Sequence, residues 1–412
     1  MKHFGAVVVV AFVAWGCGGA SSSAGAVSST GSTGTTSSTG MPATATSAGT
    51  SGGASSAGSS GASSGGTSGG VSSGSSSGGA STGGPCLDTQ TDPGNCGACG
   101  HACPEPDSGL VACVAGACGD QVTLMSSSTI LDFAVDDTSV YWRDLDGGLV
   151  SKSPLQGGSI ETLAHGLSFP DDFLSGSSCD LPVRNPGIAV DEGVVYFAIN
   201  NGLGSVDVDG GGLDLPVGEL ACTVTGLLAN GTTLDIVCDS GGDTSATAQT
   251  LAGGAAVSLP GSAQYGGMIL AAYQSNLAIA ESYAFNITPS YAIVLDTDVG
   301  SLVLAQSNEE GCAWGVALDA NDAYVAVGGA IQRIAFDGGT TVLASGFPFG
   351  VAVDSTDVYW TDLTAGTVMK TATDGGPALM LASGLSDPVE VAVDATSVYV
   401  LDSLGLRRIT PK

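Results

Sequence analysis

The sequence predicts an all-β fold, a seven-bladed β-propeller, and three observations carry that prediction. One phrase is written seven times between residue 131 and the C-terminus. Each copy holds two short runs of β-branched or aromatic residues around a polar turn, which suits paired strands. The last copy stops one strand short, and the stretch before the first copy supplies that strand. The clearest copies are GVAVDSTDVYWTD (350–362), VEVAVDATSVYVLD (389–402), GVALDANDAYVAV (315–327), GIAVDEGVVYFA (187–198) and LDFAVDDTSVYWRD (131–144). Two degraded copies, GLLANGTTLDIVC (226–238) and MILAAYQSNLAIA (268–280), fill the gap. Copies recur every 35–47 residues, apart from one step lengthened by an insertion at about 168–186. A period in that range marks stacked units that cannot bury their apolar faces alone.

The chain opens MKHFGAVVVVAFVAWGC, residues 1–17. Lys2 and His3 form a short basic start, and an apolar run follows from Gly5 to Trp15. That run is shorter than the roughly 20 residues a bilayer span needs and fits the apolar region of an export signal. It ends in Ala14-Trp15-Gly16-Cys17, with small residues three and one before the cysteine. This resembles the lipobox of bacterial lipoproteins. The resemblance implies that Cys17 is acylated, becomes the new N-terminus and holds an exported chain to a membrane. Gly18, rather than Asp, after the cysteine is similar to the pattern for the outer membrane or cell surface. The alternative is an ordinary signal peptide with Cys17 as a bystander.

Residues 18–84 are almost entirely Ser, Gly, Thr and Ala. They carry no apolar periodicity and little to bury, so they are expected to be a disordered tether. A coil of that length spans on the order of 45–50 Å.

A cysteine-rich module is expected at 85–119, reading CLDTQTDPGNCGACGHACPEPDSGLVACVAGAC. Setting Cys17 aside leaves ten of the 11 cysteines, an even number suited to disulfides in an exported protein. Six lie in this module: Cys86, Cys96, Cys99, Cys103, Cys113 and Cys118. So short a segment cannot build a sufficient core, and three disulfides are its expected scaffold. Six cysteines allow fifteen connectivities, by the usual combinatorics. The Cys96–Cys103 spacing, with His101, also suits a zinc or iron–sulfur site, and Cys96-x2-Cys99 a redox pair. Export disfavours the former, and the absence of a surrounding βαβ pattern disfavours the latter. The DPGNCGACGHAC phrase (92–103) resembles the motif of the plant stigma-specific protein family, which implies no activity.

From 120 to 412 the repeats define the propeller. In the unit 346–385, strands run through Val351–Val353, Val358–Trp360, Thr367–Lys370 and Ala378–Leu381. Asp354-Ser355-Thr356-Asp357 forms the first turn, and Asp374-Gly375-Gly376 a tight hairpin. The same hairpin recurs at Gln156-Gly157-Gly158, Asp209-Gly210-Gly211 and Asp337-Gly338-Gly339. The last repeat supplies three strands, so Val122–Met125 is expected to pair with Leu406–Thr410 and close the ring. Tyr359-Trp360-Thr361-Asp362 is a full YWTD, and Tyr141-Trp142-Arg143-Asp144 is close to one. The region resembles the YWTD propellers of lipoprotein receptors and, more loosely, NHL-type propellers. Those families imply six blades as the alternative count.

All 39 acidic residues lie after position 84, against nine Lys and Arg in the whole chain. Phosphate backbones and anionic bilayers are disfavoured, so no nucleic-acid partner is expected. No cofactor is required; Ca²⁺ is the one permitted. The Asp ending each clear first run (Asp136, Asp191, Asp319, Asp354, Asp394) reads as a turn-maker, because a residue in five of seven units solves a problem they share. Asp207-Val208-Asp209-Gly210-Gly211 and Asp296-Thr297-Asp298 resemble pieces of calcium loops but lack the closing Glu.

No catalytic residues are assigned. Gly74-Ser75-Ser76-Ser77-Gly78 matches GxSxG but sits in the tether, without strand or helix. Of the two histidines after the leader, His101 lies in the module, and His165 replaces a serine of sister repeats on the solvent side. Gluconolactonase-type propellers hold a metal in a central carboxylate and amide cage; here Glu281, Asn286, Glu309 and Glu310 are the candidates. Asn230-Gly231-Thr232 and Asn286-Ile287-Thr288 are sequons by pattern alone. Departures from the repeat point to binding loops: Phe169–Pro186, with Cys179 and Arg184, and Tyr283–Tyr291. Cys179, Cys222, Cys238 and Cys312 are expected to pin such loops through disulfides. The resulting expectation is a monomeric, non-enzymatic, lipid-anchored propeller that binds a protein or carbohydrate. A metal-dependent hydrolase or lactonase and a structural envelope component are the alternatives.

Overall fold

The computed structural model describes residues 6–7, 95–96, 98, 101–103, 113–114, 117–170, 187–200, 202–215, 223–230, 233–239, 243–250, 257–264, 267–273, 276–285, 288–297, 300–307 and 312–412. The expectations for Cys17, residues 18–84, Cys86, Cys99, Cys179, Arg184, Cys222, Asn286, Asp298, Glu309 and Glu310 lie outside the described residues, as do the side chains of Glu281 and Asp296. Every regular element among the described residues is a strand.

Seven four-stranded antiparallel sheets follow one another. Blade 1 is Ile130–Val135, Ser139–Asp144, Leu149–Pro154 and Glu161–Ala164. Blade 3 begins at Thr223, blade 4 at Gly267, blade 5 at Ala313 and blade 6 at Pro348, each an in-order meander. Blade 7 is Glu390–Val393, Val398–Asp402 and Gly405–Thr410, completed by Asp120–Ser126. The first strands of successive blades touch, and the series closes where Glu390–Val393 meets Ile130–Val135. The units therefore stand around a ring and not in a line.

Burial follows the same radial order. The first strand of blade 1 is buried at every position, whereas the outermost strand of blade 5, Gly339–Ser345, is mostly exposed. The core holds Phe133, Tyr141, Trp142, Tyr324 and Trp360, each at most 2% exposed. Glycine in the first strand permits close blade packing. A Cβ at Gly350 would stand 2.7 Å from the Val389 carbonyl oxygen of the next blade.

The closing strand pairs as the sequence predicts. Met125 stands opposite Leu406, Val122 opposite Arg408 and Gln121 opposite Ile409. Immediately before it, Cys113–Val114 and Ala117–Cys118 form a two-stranded ladder. Disulfides join Cys96 to Cys113 and Cys103 to Cys118. Cys238 and Cys312 are also disulfide-bonded.

In blade 2, Ile188–Asp191, Val194–Ile199 and Gly202–Asp207 form the first three strands, and a bridge between Ser205 and Asp214 follows the hairpin; residues 216–222 lie outside the described ones. The fourth strand of this sheet is Ala6–Val7, antiparallel to the first strand, with Ala6 opposite Asp191 and Val7 opposite Val190.

The turn-making role of the repeated Asp is explicit. In blade 5, Asp319 Oδ1 accepts from the backbone N–H groups of Asn321 (2.8 Å) and Asp322 (2.9 Å), while Oδ2 accepts the Tyr324 hydroxyl at 2.7 Å. Asp136 with Tyr141, Asp354 with Tyr359 and Asp394 with Tyr399 repeat both contacts. Burial, reinforced by the carboxylate each donates to, pushes these four phenols far above the usual tyrosine range, so they remain donors. Asp191 is the exception. Its turn is a two-residue reversal through Glu192 (φ 46°) and Gly193 (φ 84°), and its buried Oδ2 has no hydrogen-bond partner. Burial, with the Glu192 charge adding to it, raises this carboxyl to about 6.

The Tyr–Asp bond is a buried hydrogen bond to a charged acceptor. Tyr324→Phe and Tyr399→Phe are each expected to lower the unfolding free energy by about 1.5–3 kcal/mol. Denaturant melts check this, and Tyr196→Phe in blade 2, which lacks that bond, is the control with a smaller loss.

Candidate functional site

The meander gives the ring two chemically different ends. At one end lie the Asp turns and the Gly hairpins, tied together by backbone bonds such as Leu155 N to Thr138 O, Phe336 N to Asn321 O and Thr373 N to Thr356 O. We call it the turn end. At the other lie the turns between second and third strands and the links between blades, joined by Leu145 N to Thr129 O, Leu363 N to Phe347 O and Ser403 N to Ser386 O. We call it the connection end.

The turn end is densely acidic. Asp137, Glu192, Asp209, Asp337 and Asp374 are exposed there, beside the Asp caps. Asp209 Oδ1 accepts from Gly211 N at 3.3 Å, and Asp207 N donates to Gly211 O, so this calcium-loop fragment is a closed hairpin. His165 is exposed, as expected, and His101 Nδ1 lies 2.7 Å from the Cys96 carbonyl oxygen. Among the described residues, the grouping with metal-ligand spacing is Cys96, Cys103 and Cys118, and all three sulfurs are spent in disulfides.

The scarce cations are all engaged. Apart from Lys2 and Arg184, each Lys and Arg of the chain is a described residue, and each is ion-paired: Arg143 with Asp132, Lys152 with Glu161, Arg333 with Asp322, Lys370 with Asp357, Arg407 with Asp402, Arg408 with Asp120 and Lys412 with Asp354. Lys152, Arg333, Lys370 and Arg408 all occupy the fourth position of a third strand. Three of them reach a carbonyl at one repeated place in the next blade. Lys152 Nζ donates to Val208 O, Arg333 Nη1 to Thr373 O (3.1 Å) and Arg408 Nη1 to Leu155 O (2.9 Å). These cations stitch neighbouring blades and leave the exterior anionic. Their common strand position was the available sequence signal, hidden by the variable residues around it.

Lys412 makes a further clasp at the turn end. Its Nζ lies 2.6 Å from Asp354 Oδ2, donates to Asp394 O and sits 5.6 Å from the centre of the Tyr359 ring. Burial pushes the Asp354 carboxyl up, but Lys412 and the N–H groups of Thr356 and Asp357 outweigh it and hold the group at about 2.

Arg143, where the YWTD copy has Thr361, is fully buried. Its Nε lies 2.9 Å from Asp132 Oδ1, its Nη2 2.6 Å from Asp132 Oδ2, and its Nη1 donates to Ala198 O at 3.0 Å. The guanidinium also covers the Phe169 ring at 5.2 Å, and Gly187 N donates to Asp132 Oδ2. This ion pair thus touches Phe169, at the start of the insertion, and Gly187, just after it, and joins blade 1 to blade 2. In blade 6 a neutral bond, Gly350 N to Thr361 Oγ1 at 2.9 Å, stands in its place.

Leu145, Phe347 and Leu404 are exposed at the connection end, while Ile160 and Leu213 are exposed beside the hairpins of the turn end. Leu145, Phe347 and Leu404 are 46%, 39% and 56% exposed. The Asp of the YWTD phrase fixes the loops that display them. Asp144 accepts from Ser127 Oγ and Thr129 Oγ1, Asp362 from the N–H groups of Phe347 (3.1 Å) and Ala365 (2.9 Å), and Asp402 from those of Ser386 (3.2 Å) and Leu404 (3.0 Å). Each carboxylate therefore ties an incoming link to the turn above it. At the seam of blades 7 and 1 this builds a shallow recess lined by Ser126–Thr129, Leu145, Asp146 and Leu404. Farther round the ring, half-buried Trp314 stacks on Phe349 with ring centres 5.5 Å apart.

No protein family and no curated protein matches this sequence. Solved structures match it in fold. Virginiamycin B lyase from Staphylococcus aureus superposes with a TM-score of 0.54 at 15% identity, over 71% of this chain and 99% of that one. A catalytically inactive form of that lyase with quinupristin gives 0.53 at 13%, over 71% and 99%. A puromycin hydrolase gives 0.51 at 11%, over 67% of this chain and 50% of the hydrolase. At such identities the likeness extends to the β-propeller fold alone.

Two outcomes are expected. Arg143→Thr strands the Asp132 carboxylate in the core and should cost about 3–5 kcal/mol, while Arg143→Thr with Asp132→Gly, which copies blade 6, should recover most of that loss in urea melts. For Lys412, the depressed Asp354 pKa stabilises the native state above the usual carboxyl value of 3.8 and is lost as pH falls towards about 2. Lys412→Met should lower the Tm at pH 7 and flatten its fall between about pH 4 and 2, the window of that titration.

Proposed function

We propose that the chain is an exported lipoprotein, acylated on Cys17, whose tether carries an acidic propeller that recognises a protein partner at its connection end. The observation that carries the recognition role is an apolar display on fixed loops: Leu145, Phe347 and Leu404 stand in water at the connection end on loops held by Asp144, Asp362 and Asp402. Loops held on a rigid frame that display apolar side chains suit recognition. Anchoring rests on the lipobox-like Ala14–Cys17 and the Ser/Gly-rich stretch after it. In the exported form residues 1–16 would be gone, and the first strand of blade 2 would present the edge that Ala6–Val7 covers.

A pair of photo-crosslinking residues tests recognition in the native cell. A probe at Phe347 is expected to give a discrete protein adduct, and a probe at Asp337, on the turn end, none. Adducts from Asp337 alone would overturn the assignment of the face. Cys17→Ser should abolish labelling by radioactive palmitate and release the chain from the membrane fraction; retained label would remove the anchor.

A further inference from the structure

The recess at the seam of blades 7 and 1 brings together three chain segments. Ser126–Thr129 lines it from the link between blades 7 and 1, Leu145 and Asp146 come from the second turn of blade 1, and Leu404 comes from the equivalent turn of blade 7. The two leucines are about half exposed and flank an exposed carboxylate. Asp146 forms no ion pair among the described residues, although its own N–H is held by Asp144 Oδ1 at 3.0 Å. Every described Lys and Arg of the propeller is already matched to a carboxylate, including Arg143 and Arg407 beneath this end. A cation brought here from outside meets an uncontested carboxylate and a net negative field, whereas an incoming anion meets no uncommitted cation among the described residues.

We infer that this recess docks a protein segment offering a basic side chain between two aliphatic ones, the aliphatic groups packing on Leu145 and Leu404 and the cation on Asp146. The inference rests on the proposed recognition role and names its site and partner chemistry. It has a mechanical corollary. The walls come from the first and last blades, so an occupant bridges the two halves of the ring closure. Ligand bound only to the closed ring stabilises it by mass action.

The test uses the full chain with isotope-labelled leucine methyl groups and two capped peptides, acetyl-Ser-Leu-Lys-Leu-Ser-amide and its Glu counterpart. The Lys peptide is expected to shift the Leu145 and Leu404 methyl signals, to bind at least tenfold more tightly than the Glu peptide and to raise the Tm. Asp146→Asn should remove the preference for Lys with the melting curve of the free protein unchanged, since the side chain is exposed. Leu404→Ser should abolish the shifts. Equal response to both peptides, or shifts confined to other leucines, overturns the inference. If the Phe347 probe captures a partner while the recess methyls stay still under both peptides, the recess assignment fails and the recognition role stands. If neither responds, both fail.

Discussion

The fold depends on one pairing between segments almost three hundred residues apart in the chain. Asp120–Ser126 joins Gly405–Thr410, and without it blade 7 has three strands and the ring has two loose ends. The contact is a backbone ladder, so it tolerates varied side chains. It is backed by directed contacts: Arg408, inside the same ladder, donates to Leu155 O and Gln156 Oε1 of blade 1 at 2.9 and 2.6 Å. The disulfide-bonded hairpin ends at Cys118, just ahead of the closing strand.

Charge is distributed to serve the same ring. A chain with net charge −30 repels itself, and its few cations each offset part of that repulsion where they join neighbouring blades. Lys152, Arg333 and Arg408 of the third strands are spent on carbonyls of the neighbouring blade, and Lys412 is spent on Asp354. The acidic groups divide by role. Asp319 and its counterparts make turns and hold tyrosines, whereas Asp144, Asp362 and Asp402 lash links to loops. The acids left over, on the exposed turns, set the field that any partner meets.

Much of this was readable from residue order. The Asp cap was legible because a short carboxylate before a two-residue polar stretch bonds the N–H groups just ahead of it, wherever the blade stands. The closing strand was legible because a repeat that stops early must find its missing strand elsewhere. The tyrosine five residues after each cap suits a strand by composition, but the hydroxyl bond that four of the five make appears only once the hairpin folds back. The Arg143–Asp132 pair was invisible, because either residue alone looks like a surface substitution in a degenerate repeat.

By itself the sequence determined the β architecture, the number of repeats, the turn residues and the acidic balance, because each follows from local periodicity, local hydrogen bonding or simple counting. Only the tertiary structure decided which end of the ring shows Leu145, Phe347 and Leu404 to solvent, which cation meets which blade, and that Leu145, Asp146 and Leu404 share one recess. Those facts join residues on different blades, and their proximity arises only when the ring closes.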